Sequence, residues 1–300
     1  MTSPVAVVLV SHGTVDDLDD LGGFVTNVRR GRPAPPELIA ELRHRYQAIG
    51  GSPLNRINLT LAEKLAEKLG VAVVAANRLW HPYVREVVPP LEEAGVRRIV
   101  LLPLAQHSVH VYAEDGRRAV EGRDVELVCV PAWGDRADLH EAFARRIVAT
   151  LGDDPAPTTL VLSAHSLPVA VIKGGDPYER DFRAAAAAVA ALVRGQAGAA
   201  LDVRVCFQSQ GMAGGPGEWL GPDLEATLDA ARDHGSKRVV LAPVGFLADH
   251  VEILYDLDVE ARAMAMDRGM AFARAPSLNA DDDLVDVLDA VAGPFLDVEG

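Results

Sequence analysis

The chain has 300 residues, 49% of them hydrophobic, which supplies a core for one large α/β domain or two smaller lobes and argues against disorder. Its formal net charge of −14 argues against a nucleic-acid partner, because phosphate binding calls for an excess of clustered Lys and Arg. No apolar stretch approaches the roughly 18 residues of a membrane span, and Met1-Thr2-Ser3-Pro4 runs straight into Val5–Val10 with no basic leader, so a cytoplasmic enzyme without a transmembrane segment is expected.

In chain order, short apolar runs bounded by turn residues predict strands over 5–11, 71–76, 98–104, 126–130, 159–164, 203–208, 238–244 and 270–274. Helix-like stretches separate them, over 36–47, 58–69, 83–94, 138–150, 179–194, 222–234, 250–268 and 282–292. The alanine-rich run Asp181–Arg194 is the clearest helix, and Gly95 and Gly235 stand where helix C-caps belong. Cys129 and Cys206 lie inside strand runs and read as core thiols. Two cysteines cannot hold an iron–sulfur cluster, which takes four ligands.

The alternation of strand and helix is the pattern of parallel βαβ units, and an internal repeat divides it in two. Gly95-Val-Arg-Arg-Ile-Val-Leu-Leu-Pro-Leu104 matches Gly235-Ser-Lys-Arg-Val-Val-Leu-Ala-Pro-Val244, and Val8-Leu-Val-Ser-His-Gly13 aligns with Val161-Leu-Ser-Ala-His-Ser166. The repeat favours two open four-stranded parallel sheets flanked by helices over one closed barrel, with Rossmann-like lobes over 1–135 and 136–300. His12 and His165 then end equivalent strands, and His107 and His250 follow the second repeated strand. Parallel strands carry working residues at their carboxyl ends, so several histidines are expected to point into one cleft between the lobes.

Two segments carry candidate chemistry. The first is His165, in Ser163-Ala-His-Ser-Leu-Pro168. The second is Pro243 to Glu260, where Glu252, Asp256 and Glu260 fall at i, i+4 and i+8 and would stack three carboxylates on one helix face. Like charges at that spacing repel, and a solvated acidic face is the bland explanation. The row begins beside Asp249 and His250 at a strand end, however, and carboxylate with imidazole is a donor set for divalent ions, so a cation path is the sharper reading. Arg29, Arg30 and Arg32, followed by Arg43, Arg45 and Tyr46, could clamp a carboxylate ligand, or could pair with Asp16, Asp17, Asp19 and Asp20. Gly214-Gly-Pro-Gly217 lacks the Lys-Ser/Thr of a phosphate loop and reads as a turn that places Trp219.

With these residues in hand, the chain resembles the ferrochelatases, most closely the monofunctional coproporphyrin ferrochelatases of Gram-positive bacteria. The likeness covers nearly the whole chain. It is carried by Asn27-Val-Arg-Arg-Gly-Arg-Pro33, Arg45-Tyr-Gln-Ala-Ile-Gly-Gly-Ser-Pro-Leu54, Leu162-Ser-Ala-His-Ser-Leu-Pro168, Gly175-Asp-Pro-Tyr178, Gln208-Ser-Gln-Gly211 with Trp219-Leu-Gly-Pro222, and Pro243 to Asp258. The resemblance implies two flavodoxin-like lobes with a porphyrin between them and His165 with Glu252 as the catalytic pair. Asp256 and Glu260 would continue the metal-handling row, and Arg29, Arg30, Arg45, Tyr46, Ser52, Ser108 and Trp219 would contact the ring or its propionates. The family has Tyr, Met or Leu where this chain has His12, which becomes a candidate ligand on the far face of the ring. The stretch Leu104–Tyr112 is shorter and differently composed than the usual form.

The implied reaction strips water from Fe2+, bends the macrocycle and removes two pyrrole protons, so it calls for a base and a cation route with no covalent nucleophile. Iron is then a substrate, and no tightly bound cofactor is expected. Contacts beyond porphyrin and iron would be transient, with neighbouring heme-pathway enzymes. Two other readings share parts of this pattern: a chelatase for sirohydrochlorin or another tetrapyrrole using cobalt or nickel, and a tetrapyrrole carrier without turnover. The Gly-Asp-Pro-Tyr and Asp-His-Val-Glu motifs count against the first. The second leaves His165 and the acidic row without a task.

Overall fold

A computed structural model describes residues 4–198, 200–210 and 217–296. Two compact units emerge, one formed by residues 1–43, 52–133 and 279–300 and the other by 44–51 and 134–278.

The first unit holds β1 (Val5–Ser11), β2 (Ala72–Asn77), β3 (Arg98–Pro103) and β4 (Glu126–Cys129), all parallel in the order β2-β1-β3-β4. Every residue of β1 is buried, as a central strand covered on both faces requires. Ala6, Val8 and Val10 of that strand point to one face, where they meet Val84, Val88 and Leu91 from α4 (Val84–Glu93) and Tyr112 and Ala119 from α5 (Val109–Val120). Also in this unit, or beginning in it, are α1 (Leu21–Val28), α2 (Pro36–Ala48), whose last turn falls in the second unit, and α3 (Leu54–Leu69).

The second unit repeats the plan with β5 (Thr158–His165), β6 (Asp202–Gln208), β7 (Arg238–Ala242) and β8 (Ala271–Arg274) in the order β6-β5-β7-β8. Its helices are α6 (Ala137–Leu151), the short α7 (Val169–Lys173), α8 (Tyr178–Ala197), α9 (Leu224–Asp233) and a compound segment from Val251 to Asp267. The compound segment buries Ile253, Leu257, Ala261 and Ala265 against Val239 and Leu241. Full burial of a side chain the size of Ile253 or Leu257 contributes about 1.5–3 kcal/mol.

The duplication seen in the sequence extends to individual hydrogen bonds. Val5 pairs in register with Arg98, and Thr158 with Arg238. The Pro4 carbonyl accepts from the amides of Arg97 and Arg98, and the Pro157 carbonyl from those of Lys237 and Arg238. Gly95 and Gly235 terminate α4 and α9 at φ +93° and +95°, as C-cap glycines do. The fold expectation of two similar parallel α/β units therefore holds, and all eight strands lie within a residue or two of their predicted spans.

Three differences stand out. α1, α5 and α7 form where no helix was predicted. The last helix, α12 (Asp282–Ala292), was expected in the lobe over 136–300 but packs with the first unit, where Lys64 Nζ of α3 meets Asp282 at 2.8 Å and Lys68 Nζ meets Asp286 at 2.7 Å. The helix predicted over 250–268 is α10 (Val251–Leu254), a π turn (Asp256–Ala261) and α11 (Arg262–Asp267).

Candidate active site

His165 is the last residue of β5, paired with Gln208 at the end of β6, so the sheet itself delivers it to a carboxyl edge. Its carbonyl accepts from the Tyr178 hydroxyl at 3.0 Å, and Tyr178 opens α8 with its amide donating to Asp176 Oδ1 at 2.9 Å. The chain after His165 is held in turn. Ser166 Oγ donates to the Leu220 carbonyl at 2.9 Å, and Pro168 bridges Trp219, which brings the half-buried indole segment beside the His165 loop.

The ring of His165 bonds through Nδ1 to the Ser166 carbonyl. A carbonyl only accepts, so Nδ1 carries a proton and the lone pair of the neutral ring lies on Nε2. Nε2 faces Glu252 Oε1 at 3.6 Å, with the two side chains 33% and 24% exposed, so protons can reach and leave the pair. Burial pulls the His165 pKa down, but Glu252, the Ser166 carbonyl and Asp256 together outweigh it and the net shift is upward from 6.5. His250 moves the other way: burial lowers it, the neighbouring His165 adds to that, and the carboxylates of Glu252 and Asp249 oppose it. Its Nδ1 accepts from the Glu252 amide at 3.3 Å and so caps α10 as a neutral ring. Two imidazoles thus feel the same carboxylate with their affinities for protons pushed in opposite directions.

Glu252 is placed by a close backbone approach. A Cβ on Gly245 would lie 2.4 Å from Ala164 Cβ and 2.7 Å from Ala164 Cα, so only glycine lets the chain leaving β7 pass the end of β5. Gln208 Nε2 then donates to the Glu252 carbonyl at 3.1 Å.

Beyond Glu252 the acidic row departs from the expected α spacing. Tyr255 O accepts from the amides of both Val259 and Glu260 at 3.1 Å, the four- and five-residue bonds that mark a π turn. Asp256 lies in that turn and is almost fully buried. Ser209, held at φ +59°, donates to Asp256 Oδ2 at 2.5 Å, and Arg45 reaches Asp256 Oδ1 at 3.0 Å and Glu260 Oε1 at 3.3 Å. The repulsion expected within the row is thus offset by Arg45, whose guanidinium also lies 4.8 Å from the centre of the Tyr255 ring. Burial raises the Asp256 carboxyl to about 7; the Ser209 hydroxyl and Arg45 restrain the rise, while Glu252 and Glu260 add to it.

His165, Glu252, Asp256, Glu260, Arg45, Tyr46 and Trp219 therefore belong to the second unit, with Tyr46 buried. His12, Arg29, Arg30, Ser52 and Ser108 belong to the first. His12 directly follows β1 and is exposed, at the position of the repeat that His165 occupies in the other half. Gly13, at φ +99°, turns the chain immediately after it against Asn77. Arg29 caps the end of α1 and Arg30 follows in the left-handed region at φ +57°. Among the described residues Arg30 and Arg32 form no ion pair, while Asp19 pairs with Arg43 at 3.1 Å, as the alternative reading of the basic cluster expected for that arginine. Among the described residues Ser52 Oγ is buried without a hydrogen-bond partner, and Ser108 precedes α5 half-buried. Gly214–Pro216, read as a turn, lie outside the described residues. No group of three or more His, Cys, Asp or Glu among the described residues is arranged to hold a metal ion. Among them, too, no helix is long and apolar enough to cross a membrane.

Tyr178, Gln208 and Ser209 had no role in the sequence reading beyond membership of a motif. Their contacts join residues 13, 44 and 47 positions apart, which spacing along the chain does not reveal.

Comparison with known proteins supplies the context. A family profile described as Ferrochelatase matches residues 4–293. The ferrochelatase of Acidobacterium capsulatum is 37% identical over 319 residues, covering 99% of this chain and 96% of that protein. The coproporphyrin III ferrochelatase of Mycobacterium ulcerans is 37% identical over 288 residues, covering 92% and 82%. Among solved structures, SirB from Bacillus subtilis with Fe3+ shares the fold at a TM-score of 0.59 and 14% identity, with 98% of each chain covered.

Proposed function

The chain belongs to the ferrochelatase family, lyases that insert Fe2+ into porphyrin in heme biosynthesis, and on that premise we propose that it metalates coproporphyrin III using His165 as base and Glu252 as its partner. The reading is carried by one observation: an imidazole and a carboxylate 3.6 Å apart at the carboxyl end of a parallel strand, each partly open to solvent. Metalation releases two pyrrole protons. Neutral His165 accepts them in turn at Nε2, Glu252 stabilises the imidazolium, and Asp256, titrating near 7, relays protons towards Glu260. The same carboxylates hand ferrous iron along in the opposite sense, and weak ligation by few donors favours release to the four ring nitrogens. His12 is the proposed ligand on the other face of the ring, and Arg29 and Arg30 with Ser52, Ser108, Tyr46 and Trp219 are the proposed ring and propionate contacts. Arg45 joins them by exchanging its carboxylate partners. No iron–sulfur cluster or tightly bound cofactor takes part, in keeping with only two cysteines in the sequence.

The choice of coproporphyrin draws support from the name of the Mycobacterium ulcerans relative and from the cluster of arginines, which suits four propionates. Rates with Fe2+ on coproporphyrin III and protoporphyrin IX, measured side by side, decide it: a higher kcat/KM on protoporphyrin would reverse the assignment. His165→Ala should lower turnover at least about 100-fold, the usual contribution of a positioned base, while porphyrin still binds by its absorption shift. Near-normal turnover in that variant would remove His165 from the chemistry.

A further inference from the structure

The segment that carries Glu252 and Asp256 has a second set of charged contacts on its other side. Arg274 closes β8, and its side chain is only 11% exposed. Its Nε and Nη2 bond the two oxygens of Asp258 at 2.8 and 2.9 Å, and its Nη1 bonds Asp249 Oδ1 at 3.1 Å. Ser277 Oγ donates to that same Asp249 oxygen at 2.7 Å. Asp249 precedes Glu252 by three residues and Asp258 follows Asp256 by two, so one guanidinium ties together both ends of the segment that presents the two carboxylates.

From this geometry we propose that Arg274 is a positioning residue for iron insertion, fixing the π turn so that Asp256 and Glu252 stay in step along the iron route. The proposal rests on the reading of those two carboxylates given above. Three observations support it. Asp258 sits inside the π turn, where the Tyr255 carbonyl is shared between a four-residue and a five-residue bond, so the turn stands at the boundary between two registers. A two-oxygen guanidinium bond fixes direction as well as distance, which a single contact would not do. The helix is held to the sheet independently, through Ile253, Leu257, Ala261 and Ala265, so loss of Arg274 frees the register without freeing the helix. Neither His165 nor Glu252 is among the groups that the Arg274 guanidinium bonds, and its influence on them passes through Asp249 and Asp258.

The test separates iron from porphyrin. Arg274→Gln and Arg274→Lys are assayed with kcat and KM determined for each substrate, alongside thermal melting and porphyrin titration. Arg274→Gln should lower kcat/KM for Fe2+ about tenfold or more, the usual cost of losing a group that orients metal ligands, with KM for porphyrin changed less than about twofold. Arg274→Lys should fall between, since it keeps the charge and loses the two-oxygen bond. Asp258→Asn should reproduce the defect, and its effect should not add to that of Arg274→Gln in the double variant. Unchanged iron kinetics, equal losses for both substrates, or additive effects would each overturn the positioning role. Should Arg274→Gln fail to fold, Arg274→Lys and Asp258→Asn decide by the same criteria. Wild type run in parallel keeps the questions apart: a wild type that inserts no iron overturns the activity, whereas an active one with indifferent Arg274 variants overturns only the positioning.

Discussion

His165 and Asp256 both bind protons more tightly in the folded protein than in the unfolded chain, and each yields a pH prediction of definite sign. His165 must be neutral to act as a base, so the acidic limb of kcat/KM should lie above the ordinary histidine value of 6.5. Glu252→Gln removes the main upward influence and leaves burial, so the His165 ring should then titrate at lower pH, as NMR of its ring protons would report. An unmoved or raised value would contradict the pairing. For Asp256, the folded carboxyl titrates near 7 against 3.8 in the free residue, so its contribution to stability is complete below about pH 4 and is lost as the pH rises to about 7. Asp256→Asn, which no longer titrates, should gain in Tm over wild type above pH 7 and lose that advantage below pH 4, at about 2–4 °C per kcal/mol for a domain of this size. His165 and Glu252 were legible because a strand-end imidazole and a row of carboxylates depend only on neighbours in sequence. Ser209, Tyr178 and Arg274 were not, since each acts on a residue at least ten positions away and an isolated Ser, Tyr or Arg in a loop or strand carries no periodic signal.

Two of the elements that were missed, α1 and α5, share a cause, the rule of packing over local preference. Leu21–Val28 contains Gly22, Gly23 and three β-branched residues, a poor helix by composition, yet it buries Leu21, Phe24 and Val25 at helical spacing. Val109–Val120 is interrupted by Gly116, but Val109, Tyr112, Ala113, Gly116 and Ala119 form a buried stripe at helical spacing. The π turn had no such signal, because it answers to Arg45, Ser209 and Arg274 from elsewhere in the fold. Two glycine substitutions separate tight backbone packing from tight side-chain packing. Gly245→Ala would press a methyl group into the Ala164 backbone and should destabilise by about 1–3 kcal/mol, with iron insertion impaired because the residues leading to Glu252 must move. Gly116→Ala meets the flexible end of Leu101 at 2.6 Å, which can rotate, and helix propensity favours alanine, so its loss should be smaller. Denaturant midpoints that rank the two in the opposite order would refute the distinction.

Across the molecule the twofold repeat was readable because both copies retain the glycine, the basic pair and the apolar strand that follows. The destination of α12 was not, since an amphipathic helix advertises an apolar face without naming the sheet it will cover. The net charge of −14 gives a prediction at this scale: added salt should raise the apparent KM for Fe2+ and lower that for a porphyrin bearing several carboxylates, as screening weakens attraction for one substrate and repulsion of the other. Parallel shifts of both constants would mean that local contacts dominate. The ion pairs between α3 and α12 bear on the order of events during synthesis. Residues 279–300 leave the ribosome only after the whole of 134–278, so the half begun first is completed last and must wait, with its α3 surface uncovered, while the other half is translated and can fold.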